Sequence, residues 1–151
     1  MPQSLSAVYV HLVFSTKERR PFFRDQSVRH ELHAYLNGVS KRLDCPTIVV
    51  GGIEDHVHVL GRLGRTVSQA EWTKELKRVS SLWIKERGPG FAEFAWQAGY
   101  GAFSVGQSGL ERAREYIGSQ EGHHRTFGFQ EELRTLLRKY QLEWDERYVW
   151  D

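Results

Sequence analysis

The sequence predicts an α+β domain, with helices packed on a largely antiparallel sheet, and three observations carry that expectation. Short runs rich in β-branched and aromatic residues alternate with stretches whose apolar residues recur every three or four positions. Their order reads strand, helix, strand, strand, helix, strand, strand, helix, so the helices return onto one sheet. The chain has 151 residues, 40% hydrophobic and 26% charged, which suits one globular domain and lies far from the disordered regime.

Ala7 to Ser15 is the first strand, with Val8, Val10, Leu12 and Phe14 on one face and Tyr9, His11 and Val13 on the other. The loop that follows holds Lys17, Arg19 and Arg20 ahead of Pro21. It is either a phosphate-contacting turn or, as such small clusters more often are, a solvated loop. Asp25 caps a helix running to about Leu43, with Val28, Leu32, Tyr35, Leu36, Val39 and Leu43 as its apolar stripe. His30 and His33 fall on or near its polar side and are expected at the surface.

Thr47 to Ile53 is the second strand, where Gly51-Gly52 suggests a bulge or a close backbone approach. Glu54-Asp55 turns it back into a third strand, His56 to Leu63, as an antiparallel hairpin. Ser68 to Glu71 is a capping box opening a helix to about Arg87, buried through Trp72, Leu76, Val79 and Trp83. Lys74, Lys77, Arg78, Ser81 and Lys85 lie on its other side, as an ordinary solvated face or as one that tracks phosphates.

Gly88-Pro89-Gly90 breaks that helix, and Phe94 to Val105 reads as a second hairpin bent around Gly99 and Gly101. Its Trp96, Tyr100 and Phe103 suit either stacking on unpaired bases or, more commonly, a core. Ser108 to Glu111 is another capping box, opening a helix packed through Leu110, Ala113 and Ile117. Arg112, Tyr116, Gln120 and His123 or His124 form an adjacent stripe. Phe129 to Tyr140 is a last amphipathic helix (Leu133, Leu136, Leu137, Tyr140), and Leu142 to Asp151 is too aromatic for a free tail and is expected to dock on a subunit. There are no internal repeats or linkers. A ferredoxin-like arrangement is the simplest topology for this order, with the extra hairpin and the C-terminal helices added to it.

Net charge is only +2, so any nucleic-acid surface has to be local. The single Cys45 permits no internal disulfide and fits a reducing compartment. No apolar run is long enough to span a bilayer and the N-terminus lacks a signal-peptide pattern, so no membrane partner and a cytoplasmic location are expected.

The chemistry concentrates in Glu54 to Leu60. Alternation along a strand puts His56 and His58 on one face, about 6.6 Å apart, with Val57 and Val59 turned into a core. Two imidazoles so placed can grip one divalent metal if further donors arrive from elsewhere. Tyr116 and Gln120, four apart on a helix, share a face and could bring a carboxamide ligand and a phenol. Taken singly, each signal is common: a His-x-His pair is usually not a metal site, and Tyr116 and Gln120 are by default surface residues. The adjacent His123 and His124 fit a loop or surface role better than an extended site.

The combination is sharper than its parts. His56-Val57-His58, then Trp96-Gln-Ala-Gly-Tyr-Gly-Ala-Phe-Ser-Val105, then Tyr116-Ile-Gly-Ser-Gln120-Glu-Gly-His-His124 resembles the single-tyrosine HUH transposases of the insertion-sequence 200 type. Trp144 to Asp151 is similar to the C-terminus of one branch of that family. The resemblance implies Tyr116 as nucleophile and His56, His58 and Gln120 as ligands of Mg2+ or Mn2+. It implies cleavage of single-stranded DNA through a 5′-phosphotyrosine, and a homodimer in which the tyrosine helix of one subunit often completes the partner's histidine site. The candidate DNA-contacting residues are Lys17, Arg19, Arg20, Lys74, Arg78 and Lys85.

Three functions remain open, the first two implied by the resemblance and the third by the histidine pair alone. One is a transposase acting on hairpin-bearing element ends, and the second is a domesticated, non-transposing relative that binds DNA hairpins. The third is a metal hydrolase in which the histidine pair activates water. Intact His56, His58, Tyr116 and Gln120 favour the first.

Overall fold

Four strands, Tyr9–Ser15 (β1), Thr47–Gly52 (β2), His56–Arg62 (β3) and Gly101–Val105 (β4), form one sheet in the order β2-β3-β1-β4. They belong to a computed structural model that describes residues 2–123 and 127–151. Every pairing is antiparallel. Helices Gln26–Arg42 (α1) and Gln69–Lys85 (α2) supply the two crossovers, which makes β1 to β4 the expected ferredoxin-like core. Leu110–Gly118 (α3), Gln120–His123 (α4) and Phe129–Lys139 (α5) follow it.

The alternation read in the sequence divides the sheet into two faces. Val10, Leu12 and Phe14 of β1 join Val57 and Val59 of β3 in a core closed by Leu32, Leu36 and Val39 of α1 and Trp72, Leu76 and Ile84 of α2. Two indole donors inside this layer are matched: Trp72 Nε1 donates to Ser40 Oγ at 2.9 Å, and Trp96 Nε1 to Ser80 Oγ at 3.0 Å. On the opposite face Val13 and Phe103 pack against Phe129, Leu133 and Leu137, with Trp144, Val149 and Trp150 around them. The aromatic C-terminus therefore docks on its own chain.

Asp25 caps α1, its carboxylate accepting from Ser27 N–H at 2.8 Å, and Ser68 caps α2, accepting from Glu71 N–H at 3.0 Å. Ser108 does not cap α3. Gly109 occupies that position without a side-chain bond, and Glu111 pairs with Arg114 instead.

The extra hairpin expected over Phe94 to Val105 is replaced by a single strand, β4, paired with β1. Lys77 Nζ donates to the carbonyls of Gln97, Ala98 and Gly99 at 2.9, 3.2 and 2.7 Å. Gly99 N–H donates to the Asp151 carbonyl at 2.8 Å. These backbone groups thus find partners without a strand. Trp96 and Phe103 are core residues, while Tyr100 is exposed. His33 is not a fully exposed residue either: it is half-buried, and its buried Nε2 has no hydrogen-bond partner among the described residues. No helix among the described residues is long and apolar enough to cross a membrane.

Candidate active site

The β2-β3 hairpin presents His56 and His58 on the face opposite Val57 and Val59, and both imidazoles are fully buried. Across β1, His56 faces Ser15 and His58 faces Val13. Gly51 of β2 determines what covers them. A Cβ there would overlap the Ile117 carbonyl oxygen, so the missing side chain is what lets α3 lie directly on the strand. That seat turns the neighbouring Tyr116 toward β3, its ring centroid 5.9 Å from that of His58.

Tyr116 and Gln120 do not share one continuous helix. The backbone breaks at Ser119 (φ −105°, ψ 20°), and Gln120 begins α4. Gln120 nonetheless reaches the site, its Oε1 lying 3.2 Å from His56 Nε2. The next residue, Glu121, accepts from Arg29 Nη1 at 2.5 Å, which ties α4 to the first turns of α1.

At the centre stands a residue that was not among the sequence candidates, Glu132 of α5. It is only 2% exposed, and its Oε1 lies 3.1 Å from His56 Nε2 and 3.0 Å from His58 Nε2. Its Oε2 accepts from Gln120 Nε2 at 3.0 Å and from the Tyr116 hydroxyl. One carboxylate thus joins all four residues singled out in the sequence. Its signal was its place: residues 129, 132, 133, 136, 137 and 140 form one helical stripe, and 132 is the charged member of it.

The outer nitrogens of the histidines are also held. Asp55 Oδ1 lies 2.7 Å from His56 Nδ1, and His11 Nε2 lies 2.7 Å from His58 Nδ1. Both rings therefore turn Nε2 inward. Burial alone would lower the His56 pKa, but its bonds to Asp55 and Glu132, and their charges, outweigh burial and raise it to about 9. His11 goes the other way, to about 3, through burial first and the neighbouring His58 second. Burial, then the charge and hydrogen bond of Glu132, push the Tyr116 hydroxyl well above the ordinary phenol range.

His56, His58 and Glu132 offer ligand atoms all within 4.8 Å of one another, and Gln120 Oε1 adds a carboxamide oxygen. The 3.0–3.2 Å between these nitrogens and oxygens is close to the roughly 3 Å between adjacent ligands of an octahedral ion held at about 2.1 Å. Two imidazoles with one or two oxygen donors therefore fit a divalent cation, which would take the place of the inward protons.

The remaining candidates lie apart from this cluster. Lys74, Arg78 and Lys85 are exposed on α2, which packs on the sheet face opposite His56 and His58. Arg20 pairs with Glu93 at 3.3 Å, Lys17 is exposed beside it, and Arg19 lies over the Trp150 ring. His124 and the side chain of His123 lie outside the described residues.

Residues 4–120 match the family model described as "Transposase IS200 like". No curated protein matches the chain. Among solved structures, a protein of Deinococcus radiodurans R1 that carries a transposase assignment is similar with a TM-score of 0.61 at 18% identity, over 80% of this chain and 95% of that one. A REP-associated tyrosine transposase bound to a REP hairpin is similar with a TM-score of 0.59 at 10% identity, over 82% of this chain and 72% of that one. At such identities the two structures speak for the fold.

Proposed function

The chain belongs to the family of IS200-like transposases, and from that premise we propose that it cleaves and rejoins single-stranded DNA through a 5′-phosphotyrosine on Tyr116. The observation that carries this reading is the Glu132 carboxylate, which touches the Tyr116 hydroxyl with one oxygen and both histidines with the other. A nucleophile, a candidate proton acceptor and a candidate cation site thereby stand within one hydrogen-bonded cluster.

In the reaction the Tyr116 oxygen attacks phosphorus and its proton passes to Glu132 Oε2. The bond from phosphorus to the 3′ oxygen breaks, and that oxygen leaves as a hydroxyl by taking a proton from solvent water. The tyrosyl diester retains the bond energy that the reverse attack by a 3′-hydroxyl needs for joining. His56 and His58, with Glu132 Oε1 and Gln120 Oε1, would hold Mg2+ or Mn2+, which supplies Lewis-acid withdrawal of charge from the non-bridging oxygens. Asp55 and His11 keep the two imidazoles aimed inward. The raised Tyr116 pKa favours the neutral phenol, so attack requires that its proton be transferred to Glu132.

The partners proposed are hairpin-bearing single-stranded ends, in keeping with the hairpin bound by the REP-associated transposase, and a second copy of the chain. Tyr116 meets Glu132 of its own chain, which supports a site completed within each protomer.

The test incubates the protein with labelled single-stranded DNA from the flanks of its gene and Mg2+ or Mn2+, resolved on a denaturing protein gel. Label that migrates with the protein, and is absent with Tyr116→Phe, is the expected result. Cut DNA without linked label would instead indicate hydrolysis by activated water, and tight hairpin binding with no cutting a recognition protein.

A further inference from the structure

Beside Tyr116 lies a cavity of about 480 Å3 that the chemistry above does not use. It opens between α3, α5 and β4, with the Tyr116 and Glu132 side chains in its wall. We propose that this cavity receives one unpaired nucleotide of the strand at the cleavage junction, the base inside and the phosphate toward Arg112 and Lys139.

Four observations argue for that occupant. The volume falls in the range of small-molecule sites, roughly 300–1,000 Å3. Ala113 and Leu136 give part of the lining an apolar surface suited to a base. Tyr140 supplies an aromatic plate whose position is fixed, because its hydroxyl donates to the Ser104 carbonyl at 3.0 Å and its ring lies 4.9 Å from that of Phe103. Fixed aromatic faces are what single-stranded nucleic acids stack upon, with little dependence on sequence. Finally, Arg112 and Lys139 are both exposed lining residues, and they provide local positive charge in a chain whose net charge is only +2. The base would have to leave its duplex to enter, which restricts the substrate to unpaired DNA.

This placement rests on the reading of Tyr116 as nucleophile, but the binding itself can be measured without cleavage. The four deoxynucleoside 5′-monophosphates, and deoxyribose 5-phosphate as a base-free control, are titrated into the whole protein. Shifts of the Leu136 and Ala113 methyl resonances report occupancy. The expected result is saturable shifts with at least one nucleotide and none with the sugar phosphate. Ala113→Phe, which fills the cavity, should weaken that binding about tenfold, of the order set by loss of base stacking. Lys139→Gln, on an exposed helix end where folding is not at risk, should weaken it several-fold. Equal binding of deoxyribose 5-phosphate, no nucleotide-dependent shift, or full affinity in a folded Ala113→Phe protein would overturn the proposal. The two readings fail separately: a phosphotyrosine adduct without nucleotide binding removes the cavity's role alone. Nucleotide binding without an adduct removes the role of Tyr116 alone.

Discussion

His11 Nε2 lies 2.7 Å from His58 Nδ1, although the two residues do not face each other across the sheet: His11 is opposite Leu60, and His58 opposite Val13. The contact is diagonal and buried. It performs for His58 what the Asp55 carboxylate performs for His56, fixing the ring so that Nε2 points to Glu132. Partners of this kind commonly change metal affinity by about 10–100-fold when removed. His11→Phe is therefore expected to weaken Mn2+ binding by at least about tenfold, measured by titration calorimetry, while melting remains cooperative. Unchanged affinity would show that His58 needs no such support.

Glu132 accepts from Tyr116 and Gln120 and stands at hydrogen-bond distance from both histidines. Glu132→Gln keeps the shape but replaces one oxygen with an NH2 group that must face donors. His56 keeps Asp55 but loses the second of its two carboxylate partners, and the altered bonding of this buried cluster should cost about 1–3 kcal/mol in metal-free protein. Adduct formation should fall about 10²- to 10⁴-fold, the usual effect of losing a positioned proton acceptor. Denaturant melts and the adduct gel measure the two effects independently. Wild-type adduct yield in this variant would mean that the phenol proton goes elsewhere.

Much of this arrangement was legible because it follows from local periodicities. Alternation along residues 56–60 separates the histidines from Val57 and Val59, and the Gly51-Gly52 pair announced the close approach that seats α3. Glu132 was not legible, because an isolated acid in an amphipathic helix reads as solvated until the sheet shows which face is covered. The missing hairpin has a similar origin. Its carbonyls are taken by Lys77, a contact across twenty or more residues that no local pattern encodes. Likewise Ser108 to Glu111 has the composition of a capping box, but Arg114 holds the glutamate that would complete it.

His33 gives a pH signature. Its pKa is lowered to about 4 by burial first and by His30 and Arg29 next, with Glu121 opposing and His58 adding slightly. The unfolded chain, with an ordinary value near 6.5, binds more protons than the folded one between pH 4 and 6.5. Stability from this group is thus complete above about pH 6.5 and is lost as pH falls toward 4, by up to about 3 kcal/mol. His11 titrates on the same acid limb, so the measurement is a difference. The gap between wild type and His33→Phe in denaturant melts should narrow or change in favour of the variant as pH falls from 7 to 4. A gap that does not vary with pH would show that His33 is not held neutral.

The last prediction concerns which chain supplies the tyrosine. The resemblance to the transposase family allows Tyr116 to serve a partner's histidines. Here α3 is seated on β2 of the same chain through Gly51 and Ile117, and the Tyr116 hydroxyl donates to Glu132 of that chain. For sharing between protomers, α3 would have to leave a contact so close that a Cβ at Gly51 could not be accommodated. A mixture of His58→Ala chains with Tyr116→Phe chains is therefore expected to form no more adduct than the two give separately. Mixing should be done by joint refolding, so that any subunits have exchanged. If the mixture instead regains a substantial fraction of wild-type adduct, the label will sit on the His58→Ala chains, whose Tyr116 is intact, and the sites are shared. That result would make the α3 seat on β2 one of two positions rather than the working one.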